Sequence, residues 1–110
     1  MKASKYKNVW TTVDGIKFQS KAEARRYSQL KLLEKAGEVF DLALQPAYQL
    51  LCTSHRKQPF AVDRYVGDFS YTNKDGFWVL EDVKGVETAI FKWKRKHFEA
   101  QYGQKITIIK

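Results

Sequence analysis

Two aspartates and a lysine are the residues whose types and spacing could do chemistry. Asp68 sits in Gly67-Asp68-Phe69, and Asp82 and Lys84 sit in Glu81-Asp82-Val83-Lys84. Both stretches are rich in aromatic and β-branched residues and read as strands, Ala61 to Asn73 and Phe77 to Lys84, around the turn Asn73-Lys74-Asp75-Gly76. Alternation along the second strand puts Asp82 and Lys84 on one face and Glu81 and Val83 on the other. A three-residue loop, Lys74 to Gly76, with its glycine left-handed, pairs Asn73 with Phe77. Counting back sets Ser70 opposite Leu80, Asp68 opposite Asp82 and Val66 opposite Lys84. A two- or four-residue loop would bring Glu81 to the Asp68 face instead, because one step of register exchanges the faces.

Carboxylates directly opposite each other in a sheet repel. Inside a largely buried hairpin they either share a proton or hold a cation. Oxygen ligands beside a lysine suit Mg²⁺ or Mn²⁺ better than zinc. Cys52 is the single cysteine, which leaves no internal disulfide and no cysteine-based zinc site, and His55 and His97 flank no metal-binding pattern. Taken singly, Asp82 with Lys84 reads as a surface ion pair and Asp68 as a solvated carboxylate near a turn. Their convergence on one face is what points to a site.

A third carboxylate comes from a helix. Ser20-Lys21-Ala22-Glu23 has the form of a capping box, opening a helix that runs to about Ala36 and ends at Gly37. Glu23, Tyr27, Leu30 and Leu33 share one face of it, so Glu23 stands at the N-terminal end of the stripe that packs on the sheet. Closing the capping box and facing a site are compatible roles for Glu23.

The remaining elements must place these side chains. Asn8 to Thr12 and Ile16 to Phe18 flank Asp14-Gly15 and form an N-terminal hairpin. Short strands follow the helix at Val39–Asp41 and Ala47–Cys52, with Thr53 to Pro59 as a loop. After Lys84, Thr88 caps a second helix from Ala89 to about Tyr102, closed by Gly103, and Lys105 to Ile109 makes a last strand. With 110 residues, no repeats and no linkers, the chain reads as a single domain over 1–110. Its fold class is α/β: a central mixed sheet flanked by two helices.

Lysine and arginine outnumber aspartate and glutamate by 20 to 12, a net charge of +8 that calls for a polyanionic partner, most simply nucleic acid. The second helix concentrates Lys92, Lys94, Arg95 and Lys96. Phe91, Phe98 and Tyr102 form its buried stripe, Lys92 and Lys96 lie outward with Trp93, and Lys94 and Arg95 flank the stripe and could reach towards the site. Lys5, Lys7, Arg25 and Arg26 could extend this surface. Trp10 and Trp93 could stack on bases, although packing is the commoner use of a lone tryptophan. No apolar stretch approaches a membrane span, and no hydrophobic run follows the N-terminal lysines as in a secretory signal, so a cytoplasmic protein is expected.

Glu23 on a first helix, Asp68 on one strand and Asp82-Val83-Lys84 on the next resemble the PD-(D/E)xK nuclease superfamily. The blocks DGIKFQSKAEARRY, LQPAYQL, GDFSY, EDVKG and FKWKRKHF resemble a small family of phage and prophage proteins assigned to it and considered similar to Holliday-junction resolvases. Gly67 stands where the motif's name has proline, and Asp82 where many members have glutamate. The resemblance covers nearly the whole chain. It implies a restriction-endonuclease-like αβββαβ core and a metal-dependent DNA endonuclease. It further implies that Asp68, Asp82 and the Val83 carbonyl hold Mg²⁺, with Mn²⁺ able to substitute, and that Glu23 ligates directly or through water. Lys84 would orient the attacking water or neutralise developing charge. The partner would be DNA, with branched forms favoured because no base-reading motif is present, and two copies would act together when two strands are cut. No small-molecule cofactor and no membrane partner are implied.

Overall fold

A computed structural model describes residues 9–110. Lys5, Lys7 and Asn8, named above, lie outside the described residues. Strands β1 (Thr11–Val13) and β2 (Ile16–Phe18) form the N-terminal hairpin. Asp14 and Gly15 both take positive φ, 53° and 76°, the tight-turn geometry that an Asp-Gly pair favours.

Helix α1 spans Lys21–Lys35, and the Ser20 hydroxyl accepts from the Glu23 N–H at 3.1 Å. At its other end Gly37, at φ 77°, donates to the Glu34 carbonyl, and the Glu38 N–H donates to that of Leu33. These two bonds close the helix in a Schellman motif.

The central sheet has four strands in the order β3-β6-β7-β8: β3 (Val39–Leu44), β6 (Phe69–Asn73), β7 (Trp78–Val83) and β8 (Ile106–Ile109). The first two pairings are antiparallel and β7 with β8 is parallel, so the sheet is mixed. Helix α2 (Ala89–Tyr102), capped by Thr88 and closed by left-handed Gly103, makes the crossover between the parallel strands.

The β6–β7 turn follows the expected register. Ser70 pairs with Leu80 and Thr72 with Trp78, the Asn73 N–H reaches the Phe77 carbonyl, and Gly76 has φ 87°. The Asn73 side chain accepts from Asp75 and Phe77 at 3.0 Å each, fixing the loop at three residues.

The expected strand from Ala61 to Asn73 is in fact two. Strand β5 (Pro59–Val66) pairs with β4 (Ala47–Thr53) in a separate hairpin, so Val66 faces Ala47 and not Lys84. The chain changes sheets at Gly67, whose N–H bonds Pro46 while the next N–H, from Asp68, bonds the Glu81 carbonyl. A Cβ on Gly67 would come within 2.8 Å of Leu80 Cδ1, so a side chain at this crossing would have to displace the buried Leu80 side chain.

Two cores sandwich the sheet. Phe18, Ala24, Tyr27, Leu30, Val39, Phe69 and Tyr71 fill the α1 side; Leu50, Tyr65, Leu80, Phe91, Phe98 and Ile106 fill the α2 side, where the β4–β5 hairpin also packs. Tyr102, expected in the buried stripe, is 43% exposed. At the last turn of α2 its ring stacks on Phe98 and its hydroxyl donates to the Gln49 carbonyl. No helix among the described residues is long and apolar enough to cross a membrane.

Candidate active site

The site lies where β6 begins and β7 ends. Asp82 is buried on the α2 face of β7, only 2% exposed. Its Oδ2 accepts from the Tyr65 hydroxyl at 2.5 Å, and its Oδ1 lies 3.3 Å from Lys84 Nζ. The Lys84 ammonium also sits over the Phe91 ring, 4.7 Å from its centre, so α2 sets its direction. Alternation thus holds Asp82 and Lys84 together as expected.

Asp68 stands just outside β6, at the point where the chain leaves the sheet. That departure would orphan the Val83 N–H, and the Asp68 carboxylate takes it at 2.6 Å. With its own N–H on the Glu81 carbonyl, Asp68 straddles Asp82 instead of standing as its ladder partner. Burial pushes the Asp68 carboxyl up to about 7, and the negative charge of Asp82 pushes the same way. The Val83 N–H opposes the shift; Glu23 and a hydrogen bond with the Asp82 carboxyl reinforce it. Two carboxylates therefore compete for charge in one desolvated place.

Glu23 joins them from the first turn of α1. Its carboxyl is raised above the usual glutamate range, first by burial, against the Gln19 backbone and Lys84, with Asp82 adding to the rise. A cleft of about 110 Å³ opens over this half of the site, lined by Glu23, Asp68, Phe18, Phe69, Lys17 and Gln45 among others. Asp82 and Lys84 are not among the residues that line the cleft.

Glu81 faces the other side, as the three-residue loop requires. It is 1% exposed and receives Arg26 Nε at 2.8 Å, Arg26 Nη2 at 2.6 Å and the Tyr71 hydroxyl. Arg26, expected to extend the cationic surface, is committed to this buried carboxylate and to Gln29. Burial, with Glu81 accepting its proton, pushes the Tyr71 phenol up to about 12.

The cations of α2 divide in two. Lys92 and Lys96 are exposed and in no ion pair among the described residues. Lys94 turns to Asp63 of β5 at 3.4 Å, so it does not reach the site. Arg95 pairs with Glu87 at 3.1 Å, while its guanidinium lies 5.8 Å from the Phe91 ring centre, the same ring that carries Lys84. Three side chains at the site had no signal pointing to them: Tyr65, Lys17 and Gln45. The isolated Gly67 in a strand-like run was the one mark of the sheet change that brings Tyr65 over Asp82.

Among the described residues, no three His, Cys, Asp or Glu side chains are gathered as a ready cation cage, and every buried side-chain N or O has a hydrogen-bond partner. The carboxylates near one another here are buried Asp82 and partly buried Asp68, with Glu23 at the cleft.

These features define an α/β protein with a paired-carboxylate site at the end of a central strand. The chain belongs to the family described as "Protein of unknown function (DUF1064)", whose model matches residues 3–110. No curated protein and no solved structure matches it.

Proposed function

We propose that the protein is a metal-dependent DNA endonuclease hydrolysing phosphodiester bonds. One observation carries the reading: Asp68 and Asp82 are forced together at the end of β7, with Asp68 pushed up to about 7 and Lys84 in contact. A cation relieves that repulsion where a structural ion pair would not need to create it. The element order supports it too. With hairpin β4–β5 set aside, α1-β3-β6-β7-α2-β8 is the αβββαβ order implied by the resemblance to PD-(D/E)xK nucleases.

The donor set fits Mg²⁺ or Mn²⁺. Mg²⁺ keeps several waters and binds through one or two carboxylates, so a three-carboxylate cage is not required. Asp68 and Asp82 would hold it. Val83 presents its N–H to Asp68, and a strand residue's C=O leaves on the same side, which puts the Val83 carbonyl on this edge. Glu23 would complete the set directly or through water. A bound divalent ion lowers the pKa of water and neutralises phosphate charge. Lys84, fixed between Asp82 and Phe91, orients the attacking water or meets charge developing on the phosphate.

The positive balance of the chain and the exposed Lys92 and Lys96 support DNA as the substrate. Branched forms such as Holliday junctions fit recognition by shape, and a homodimer fits symmetric cutting of two strands. A second reading, a non-catalytic DNA-binding module, has its own observation: Tyr65 and Lys84 already satisfy both oxygens of Asp82. Incubation with labelled four-way junction, duplex and single strand, in Mg²⁺ or EDTA, separates the two. Mg²⁺-dependent cleavage lost in Asp68→Ala and Lys84→Ala is expected. Cleavage that survives in both variants overturns the assigned site, and binding without metal-dependent cleavage favours the module.

A further inference from the structure

The β1–β2 hairpin lies outside the α1-to-β8 frame, yet it walls the cleft. Alternation along β2 turns Phe18 inward and leaves Lys17 outward. Phe18 packs against Tyr27 at 5.1 Å and Phe69 at 6.4 Å between ring centres, and the Tyr27 hydroxyl holds Asp14 at 3.1 Å. The hairpin is therefore pinned to α1 and β6, and Lys17 is presented at a fixed wall of the cleft.

Lys17 differs from the other cations near the site. Arg26, Lys84 and Arg95 are each paired with a carboxylate, whereas Lys17 is in no ion pair among the described residues. Its ammonium instead lies 4.9 Å from the centre of the Trp10 ring, and Trp10 is 56% exposed. A cation over an exposed ring is worth only about 0.5–1 kcal/mol, so the contact orients the pair without saturating either member.

A phosphate entering a cleft lined by Glu23 and Asp68 meets negative charge, and a cation on the cleft wall favours its approach. Among the described residues that line the cleft, Lys17 is the one cation. The indole beside it offers a bare aromatic face, which a base can cover only when it has left its own stack. We propose that Trp10 and Lys17 form a strand-binding platform: Lys17 holds a phosphate of the strand entering the cleft, and Trp10 stacks on an adjacent unpaired base. The ligand class is a nucleic-acid strand with unstacked nucleotides beside the scissile bond. This rests on the nuclease reading and makes unpaired strand, as at a branch point or single-stranded arm, the preferred substrate feature.

The test is equilibrium binding of the full chain in EDTA, where no cleavage intervenes, to fluorescent single strand, four-way junction with a single-stranded arm, and blunt duplex. Wild type, Trp10→Ala, Trp10→Tyr, Lys17→Ala and Lys17→Arg are compared after circular dichroism shows each folded. Trp10→Ala should weaken single-strand and junction binding by roughly five- to a hundredfold and change duplex binding less than about twofold, with Trp10→Tyr close to wild type. Lys17→Ala should weaken all three and reduce the salt slope by about one, with Lys17→Arg retaining the slope. Wild-type DNA binding with both alanine variants unchanged overturns the platform alone, as does an equal loss by Trp10→Ala on duplex and single strand. Absence of DNA binding by the wild type overturns the platform together with the nuclease reading.

Discussion

Arg26 and Glu81 join helix α1 to strand β7 through two N–H···O bonds, 2.8 and 2.6 Å, inside the α1-side core. Arg26 lies one helical turn beyond Glu23, and Glu81 precedes Asp82. The pair therefore sets the distance between the two elements that bring Glu23 and Asp82 to one place. A bidentate guanidinium–carboxylate contact fixes orientation as well as separation, which a lysine could not do.

Removing one member should cost far more than removing both. Arg26→Ala leaves Glu81, 1% exposed, with only the Tyr71 hydroxyl. A loss of about 3 kcal/mol is expected, seen as a fall in Tm of roughly 10–20 °C. The double change Arg26→Met with Glu81→Leu should recover most of it, because no buried charge remains unpaired. Equal losses in the single and double variants would show that packing, not charge pairing, carries the contact.

Tyr65 fixes one oxygen of Asp82 from a hairpin belonging to neither flank of β7 in sequence. In Tyr65→Phe the ring keeps its place against Phe98, 5.4 Å between centres, and only the donor is lost. Mn²⁺ affinity, measured by titration calorimetry, should fall by about 10- to 100-fold, the usual effect of removing a group that orients a ligand. An unchanged affinity together with an unchanged Tm would leave the Tyr65–Asp82 bond without a role.

The raised Asp68 carboxyl gives a pH dependence whose sign follows from linkage. Its folded value, about 7, exceeds the ordinary aspartate value, so between those two limits the folded protein holds more protons than the unfolded chain. Its contribution to stability is present below about pH 4 and is lost as pH rises through about 7. In EDTA the Asp68→Asn variant should lack this component and gain on wild type as pH rises, read from Tm against pH. Mg²⁺ should raise the wild-type Tm more at pH 8 than at pH 5, since protons and the cation compete for the same oxygens. A Mg²⁺ effect independent of pH would place the cation elsewhere.

Much of this architecture is legible in the chain. Ser20, Gly37, Thr88 and Gly103 mark both helices, and Asn73 with Gly76 fixes the β6–β7 register, because cap and turn chemistry act over three or four residues. The change of sheet at Gly67 is less visible. Aromatic and β-branched residues run on both sides of it, so the pattern is continuous where the partners are not. The placement of Tyr65 over Asp82 depends on how a hairpin folds back across the sheet. Arg26 likewise reads as a surface cation until β7 is known to bury Glu81 beneath it.

Lys92 and Lys96 separate the cations free for DNA from those already occupied. Both are exposed and unpaired among the described residues, while Lys94 is held by Asp63 and Arg95 by Glu87. Neutralising the free pair, Lys92→Ala with Lys96→Ala, should reduce the slope of log affinity against log salt by about two on duplex DNA. Lys94→Ala should change it by less than one, because that lysine's charge is partly balanced before DNA arrives. Neither substitution removes a core contact, so Tm should stay within a few degrees of wild type. A slope unchanged by the double variant would move the DNA path off α2 and onto the hairpin side of the cleft, where Lys17 lies.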